Sequence, residues 1–241
     1  MFSKTGDAAG NFLDCTALCF DMANDQGIEE IQSRINRSDQ SHEGCPRLSK
    51  PLLPSRVLDL EAADPRLHVT EAGERGHYLA LSYCWGGPQD VITTRDNIST
   101  NMAGMLETSF PQSIQDAIRV TRKLGYRYLW VDALCILQDS TADKHSEISN
   151  MGAIYKNSTL TIAVSNSDNV HKGFLKTPFD LDGVKLPFRL PDSTLGSIKL
   201  IAESNLLAHR YKGGPLSKRG WALQEFLLSP RVILFGAGDV R

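Results

Sequence analysis

The chain has 241 residues, and its 26 lysines and arginines against 28 aspartates and glutamates give a formal net charge of −2. This balance excludes a polybasic nucleic-acid-binding protein, and five cysteines are too few for a disulfide-stabilised scaffold. Hydrophobic residues make up 41% of the chain without any run of roughly 18 apolar residues, so we expect a globular protein with no membrane span.

Residues 1–50 are predicted to form a polar N-terminal extension, followed by one domain over residues 51–241. Within the extension, Ile28, Ile31 and Ile35 mark one short helical stripe. The first residues lack a charged segment followed by an apolar one, so no secretory signal is expected and a cytoplasmic location is favoured.

The cysteines give two interpretations near the start of the chain. Cys15 and Cys19 share one face if this segment is helical, which fits half of a metal site or two reduced thiols. No second pair of cysteines or histidines follows at ligand spacing, so no metal site is predicted. Cys84 and Cys135 lie in apolar runs and are predicted to pack in the core.

Apolar runs predict the strands of the packed region. These strands are expected at residues 57–60, 67–69, 78–85, 128–136, 160–164 and 231–235. Glycine and proline after residue 85 close the third run, and Asp132 is predicted to lie inside the fourth.

Helical periodicity predicts three helices between these strands. One opens at Pro111 and ends at Gly125, with Ser109 and Gln112 at the spacing of a capping box. The second is capped by one of residues 139–141 and carries an apolar face of Ile148, Met151, Ile154 and Tyr155, and the third covers residues 221–228. Alternating strands and helices predict an α/β fold with a parallel sheet covered by helices, and residues 165–214 are expected to form a β-rich insertion before the last helix.

Polar residues lie beside two of the three tryptophan-containing runs at positions where a parallel sheet binds ligands. Residues 82–85 and 138–139 are expected near the carboxyl ends of strands, where open α/β sheets form ligand crevices. Asp132, if mid-strand, must be paired or must face a cleft. Each candidate also has a structural interpretation: Asp132 can cap a helix or pair with an arginine, Glu225 can be a surface carboxylate, Arg219 can be a solvated charge, and the tryptophans can be core residues.

Several blocks resemble the heterokaryon incompatibility (HET) domain of filamentous fungi. They lie in the family's order at residues 78–86, 110–118, 128–136, 138–139, 147–155 and 219–225. Leu137 differs from the family pattern, which usually has a polar residue before Gln138. This difference weakens the expectation that position 137 binds a ligand. The resemblance implies non-self recognition, with growth arrest or programmed cell death after incompatible fusion.

HET domains are in turn similar to TIR domains, which have a flavodoxin-like parallel sheet. Some TIR domains cleave the nicotinamide–ribose bond of NAD with a glutamate that follows a tryptophan by four residues, and Trp221 and Glu225 match that spacing. The resemblance therefore implies a TIR-like sheet, NAD as a substrate and not as a resident cofactor, and Glu225 as the catalytic residue. The residues implied to bind NAD are Ser82, Tyr83, Trp85, Asp132, Arg219 and Trp221. The long insertion after residue 164 departs from the TIR pattern.

Two other functions fit the same resemblance. The domain can be a non-catalytic signalling module that self-associates or recruits another protein of the HET pathway. It can also be an accessory protein encoded beside a secondary-metabolite gene cluster. Because the resemblance ends close to the last residue, we expect either a minimal or a shortened member of the family.

Overall fold

The computed structural model describes residues 2–3, 25–41, 47–175, 183–201 and 214–236. The strands are β1 Phe2–Ser3, β2 Arg56–Asp59, β3 Arg66–Val69, β4 Tyr78–Ser82, β5 Tyr128–Trp130, β6 Leu160–Val164, β7 Gly183–Arg189, β8 Leu195–Ile201 and β9 Val232–Phe235. The α-helices are α1 Asp25–Ser41, α2 Ile98–Ala103, α3 Gln112–Lys123, α4 Asp132–Cys135, α5 Thr141–Asn157 and α6 Gly220–Leu228. Short 3₁₀ turns cover Glu107–Ser109 and Pro215–Lys218.

The central sheet has six strands in the order β3-β2-β5-β4-β6-β9. Strands β5, β4, β6 and β9 are parallel, whereas β2 and β3 are antiparallel and extend one edge. β4 lies at the middle, where Leu79 pairs with Leu129 on one side and with Leu160 on the other. All residues of β4 and β6 are buried, as expected for parallel strands covered on both faces.

Helices cover the sheet in two layers. Right-handed crossovers place α3 on one face and α5 and α6 on the other, because the chain leaves β4 in one direction and β5 in the opposite one. The predicted helical stripe of Ile28, Ile31 and Ile35 is confirmed: these residues of α1 are buried in the same core, and α1 contacts α3. The domain boundary at residue 50 stays a prediction.

Three local predictions are wrong. β5 ends at Trp130, and Asp132 is the first residue of α4, where the N–H groups of Leu134 and Cys135 bond to the Val131 carbonyl at 3.0 and 2.7 Å. The third predicted strand ends at Ser82 and not at residue 85. The capping box is absent, since α3 starts after Pro111 and the Ser109 hydroxyl donates to the Leu106 carbonyl inside a 3₁₀ turn.

The predicted apolar face of α5 is only partly correct. Ser140 caps the helix by accepting the Asp143 N–H, and Ile154 and Tyr155 are buried. Ile148, however, is 43% exposed, whereas Glu147 is buried. The reason is a polar contact beneath the helix: Arg56 on β2 lies 3.6 Å from Glu147 and therefore draws that side of α5 inwards.

The predicted β-rich segment is present as a hairpin. β7 and β8 pair antiparallel along their whole length, and β1 adds to the free edge of β8.

Cys84 and Cys135 are buried free thiols, as predicted. Cys15 and Cys19 lie outside the described residues. No helix in the described part of the chain is long and apolar enough to cross a membrane.

Candidate functional site

The candidate site lies where the order of the parallel strands reverses. From β4 the chain crosses to β5 on one side and then to β6 on the other, so the segments that leave the carboxyl ends of β4 and β6 diverge. Ligands of open α/β sheets bind in the crevice at this point. Ser82 is the last residue of β4 and pairs with Ala163 of β6, which places its side chain at that crevice.

Glu225 lies at the same point and is only 3% exposed. α6 carries it over the sheet, and the Ser82 hydroxyl donates a hydrogen bond to its carboxylate. Burial raises the pKa of Glu225, while the Ser82 hydrogen bond and the positive charge of Arg219 work against that rise. The surface-carboxylate interpretation of Glu225 is therefore wrong.

Asp132 joins the cluster from the start of α4. Its carboxylate accepts the indole N–H of Trp85, with Nε1 at 3.0 Å from Oδ2 and 3.2 Å from Oδ1. The side chain of Gln138 donates to the Asp132 carbonyl at 3.0 Å and fixes the turn from the other side. Burial raises the pKa of Asp132, and the charge of Arg219 opposes this. Its negative charge in turn adds to burial in raising the pKa of Tyr83.

Arg219 closes the cluster at the entry to α6. Its guanidinium donates to the carbonyl of Tyr83, which ties the segment before α6 to the end of β4. Its charge acts on both Asp132 and Glu225. The interpretation of Arg219 as a solvated charge is therefore wrong, because the side chain is half-buried and bonded to the site.

A cavity of about 180 Å³ opens beside Ser82, on the side of β6 and β9. Its other walls are Thr161, Ala163, Ser165, Leu216, Ser217, Ala222, Leu223, Phe226 and Leu234. Aliphatic side chains and hydroxyls form this lining. Because pockets for whole drug-sized ligands usually measure about 300–1,000 Å³, this cavity fits a single ring and not a dinucleotide.

The structure thus brings Ser82, Tyr83, Trp85, Asp132, Arg219 and Glu225 into one cluster. Their functional roles stay predictions. The side chain of Trp221 lies outside the described part of the chain. Trp130 is fully buried and meets Tyr155 edge-on at 5.6 Å, so its interpretation as a core residue is confirmed. Asp139 lies apart from the cluster and pairs with Arg95.

One residue of the site and one residue that holds a neighbouring segment were missed from the sequence. The hydroxyl of Tyr155 donates to the Leu81 carbonyl at 3.1 Å, and the ring lies close enough to Glu225 for that charge, after burial, to raise the pKa of Tyr155. Asp116 accepts the N–H groups of Phe174 and Leu175 at 2.7 and 3.1 Å and so holds the segment after β6. No local signal marks Asp116, because it lies off the predicted apolar face of its helix. The described residues contain no cluster of histidine, cysteine and carboxylate side chains suited to a metal ion.

Comparison with known proteins agrees with this core. The family model described as "Heterokaryon incompatibility protein (HET)" matches residues 78–225, more than half of the chain. The chain belongs to the HET family. This HET domain is 27% identical over 143 residues to Heterokaryon incompatibility protein 6, OR allele, of Neurospora crassa. The match covers 51% of the chain and 21% of that protein, so the chain spans about a fifth of its relative. No solved structure matches the chain significantly.

Proposed function

We propose that this HET domain acts in heterokaryon incompatibility by hydrolysing the nicotinamide–ribose bond of cytoplasmic NAD, with Glu225 as the catalytic residue. The observation that carries the proposal is the hydrogen bond between Ser82 and Glu225 in the crevice between β4 and β6. A buried carboxylate at this position of an open α/β sheet is a typical feature of a reactive site and not of a solvated surface.

The strand order supports the TIR-like part of the proposal. In chain order the four parallel strands are arranged 2-1-3-4, which is how the flavodoxin-like order 2-1-3-4-5 begins. The helix with Trp221 and Glu225 follows the third parallel strand, β6, after the β7–β8 hairpin. This is the place that the TIR resemblance assigns to the catalytic helix, and the hairpin is an insertion before it.

The chemistry needs a carboxylate close to the ribose. The bond between C1′ of the ribose and N1 of nicotinamide breaks, and the electron pair leaves with nicotinamide, which becomes neutral. The ribose gains oxocarbenium character, which an ionised Glu225 stabilises by its charge and by hydrogen bonds to the ribose hydroxyls. Water then attacks C1′ and releases one proton, so NAD and water yield ADP-ribose, nicotinamide and a proton.

Other residues of the cluster suit the rest of the substrate. Arg219 is a cation whose charge acts on both carboxylates, and it can pair with the pyrophosphate. Trp221 follows it on α6 and can stack on a ring of the ligand. Because the cavity beside Ser82 holds one ring at most, most of the NAD molecule lies outside it.

Measuring NAD consumption by the purified protein, alone and after enforced oligomerisation, tests the proposal. We expect Glu225→Gln to lower the rate by at least about 100-fold, since it removes the charge from the oxocarbenium site. Glu147→Gln is the matched control, because Glu147 is an equally buried helix glutamate that lies by Arg56. Equal NAD consumption by Glu225→Gln and the wild type would contradict the proposal, and so would a wild type that consumes none in either form.

A second candidate function is a non-catalytic module that signals by self-association. The observation that favours it is the presence of exposed apolar side chains on two helices that contact each other: Leu227 of α6 is 68% exposed and Ile148 of α5 is 43% exposed. If this function is the true one, toxicity in a fungal host survives Glu225→Gln and disappears in the Ile148→Asp, Leu227→Asp double variant. Vigorous growth of the host at high expression of the wild type would contradict both candidates and favour an accessory role.

A further inference from the structure

Trp85 is held at its indole and at its backbone. Its Nε1 donates to both carboxylate oxygens of Asp132, at 3.0 and 3.2 Å. The backbone carbonyl of Trp85 accepts the N–H of Val170 at 3.3 Å and the side-chain amide of Gln89 at 3.1 Å, which fixes the main chain that carries the ring. The ring is nevertheless only half-buried. A rigid aromatic ring that keeps part of its surface open is suited to stacking, because little conformational entropy is lost when a flat ligand binds.

The backbone that follows Trp85 is closely packed against another segment of the chain. Gly86 has φ of +75°, and a Cβ at this position would lie 2.7 Å from the Cα of Asn169. The segment after β6 therefore packs directly on the turn that carries Trp85. The platform is part of the folded site and does not depend on a ligand to form it.

The negative charge near the Trp85 ring favours a cationic ligand. Asp132 accepts the indole N–H, which increases the electron density of the ring and strengthens its attraction for positive charge. The described cluster contains two carboxyl groups, those of Asp132 and Glu225, and one guanidinium group, that of Arg219. When both carboxylates are ionised, the cluster carries one excess negative charge, so a flat cation fits it better than a neutral ring of the same shape.

We propose that Trp85 is the platform for the pyridinium cation of the substrate and that Asp132 is a positioning residue, which holds the indole and does not bind the ligand itself. The oxygens of Asp132 already accept the N–H groups of Trp85 and Ala133, so the carboxylate acts through the ring. This inference rests on the proposed function, because NAD supplies such a cation. It adds the part of the site that recognises the charged leaving group.

Two small ligands test whether the site recognises the charge of the ring or only its shape, and neither is turned over by the enzyme. 1-Methylnicotinamide is a pyridinium cation, nicotinamide is the same ring without the charge, and neither has a glycosidic bond to cleave. With binding followed by saturation-transfer NMR, we expect the wild type to bind the cation about five- to tenfold more tightly than the neutral ring. We also expect a charge-transfer absorption band between indole and the cation.

Variants of the two residues decide between the platform and its alternatives. Trp85→Leu should abolish the preference for the cation, Trp85→Phe should keep part of it, and Asp132→Asn should reduce it about two- to threefold because the acceptor remains while the charge is lost. Trp130→Phe is the control, since Trp130 is fully buried in the core. Equal binding of both probes by the wild type, or an unchanged preference in Trp85→Leu, would overturn the inference.

The outcomes also separate this inference from the proposed function. Selective binding of the cation at Trp85 without any hydrolysis of NAD would support the role of Trp85 and contradict the proposed enzymatic function. Hydrolysis of NAD by Trp85→Leu with unchanged KM would contradict the role of Trp85 and support the enzymatic function.

Discussion

The Ser82 hydroxyl donates a hydrogen bond to the Glu225 carboxylate although the two residues are 143 positions apart in the chain. The end of β4 and the middle of α6 meet there, at the crevice where the strand order reverses. A hydroxyl donor favours the ionised form of a carboxyl group, whereas burial favours the neutral form. The Ser82 hydrogen bond therefore favours the ionised form of Glu225 against the effect of burial.

Ser82→Ala should move the activity of the site to higher pH. Burial raises the pKa of Glu225 and the Ser82 hydrogen bond lowers it, so loss of the hydroxyl raises the pKa further. The acid limb of the pH profile of NAD hydrolysis should shift upwards, and the limiting rate at high pH should fall much less. Ser82→Thr keeps the hydroxyl and should keep the profile. A lower rate with an unmoved acid limb would contradict this role.

Much of the fold could be predicted from the sequence because periodic patterns are local. β4, β6, α3 and α6 follow from apolar runs and helical stripes, and the expected crevice at the carboxyl end of β4 follows from their alternation. The start of α4 could not be predicted, since its single turn lies within a continuous apolar run and no side chain caps it. The exposure of Ile148 depends on Arg56, which is contributed by a strand some ninety positions earlier.

The candidate site shows the same limit. Residue types and the family resemblance were enough to select Ser82, Asp132, Arg219 and Glu225, but not their contacts. The bond from Trp85 to Asp132 and the bond from Arg219 to the Tyr83 carbonyl join segments that lie far apart in the sequence. No local pattern encodes such contacts, because they arise only once the sheet has set the distances between its loops.

Replacing Arg56 by methionine should strongly destabilise the fold. Arg56 is buried, donates to the Cys135 carbonyl at 2.6 Å and pairs with Asp143 at 2.6 Å. Its loss leaves buried acceptors and a carboxylate without a partner, so we expect the free energy of unfolding to fall by about 3 kcal/mol. Arg95→Met is the control, because its pair with Asp139 is exposed and worth at most about 1 kcal/mol. Urea unfolding measures both, and equal effects would contradict the prediction.

Asp59 should make the stability of the domain sensitive to acid. Burial acts to raise its pKa, but hydrogen bonds from Arg127 and Arg66 outweigh it and lower the pKa from 3.8 to about 2. A carboxyl group with a lowered pKa stabilises the fold above its unfolded pKa and loses that contribution as the pH falls through the folded one. The difference in unfolding free energy between the wild type and Asp59→Asn should therefore shrink by about 1–2 kcal/mol between pH 5 and pH 2. A constant difference across this range would show that Arg66 and Arg127 do not hold the ionised form.

Gly86→Ala should disturb the site far more than Gly87→Ala. Both glycines have positive φ, +75° and +143°, so each substitution strains the backbone by about 1 kcal/mol or more. Only at Gly86 does the added Cβ meet another part of the chain, 2.7 Å from the Cα of Asn169, whereas the space at Gly87 is open. Because backbone atoms cannot yield as a side chain can, we expect Gly86→Ala to lower the unfolding free energy by about 2–3 kcal/mol and to change the emission of Trp85. Urea unfolding followed by tryptophan fluorescence records both effects in one experiment. If the two alanine variants unfold at the same urea concentration, the close packing of residue 86 on Asn169 does not fix the Trp85 turn.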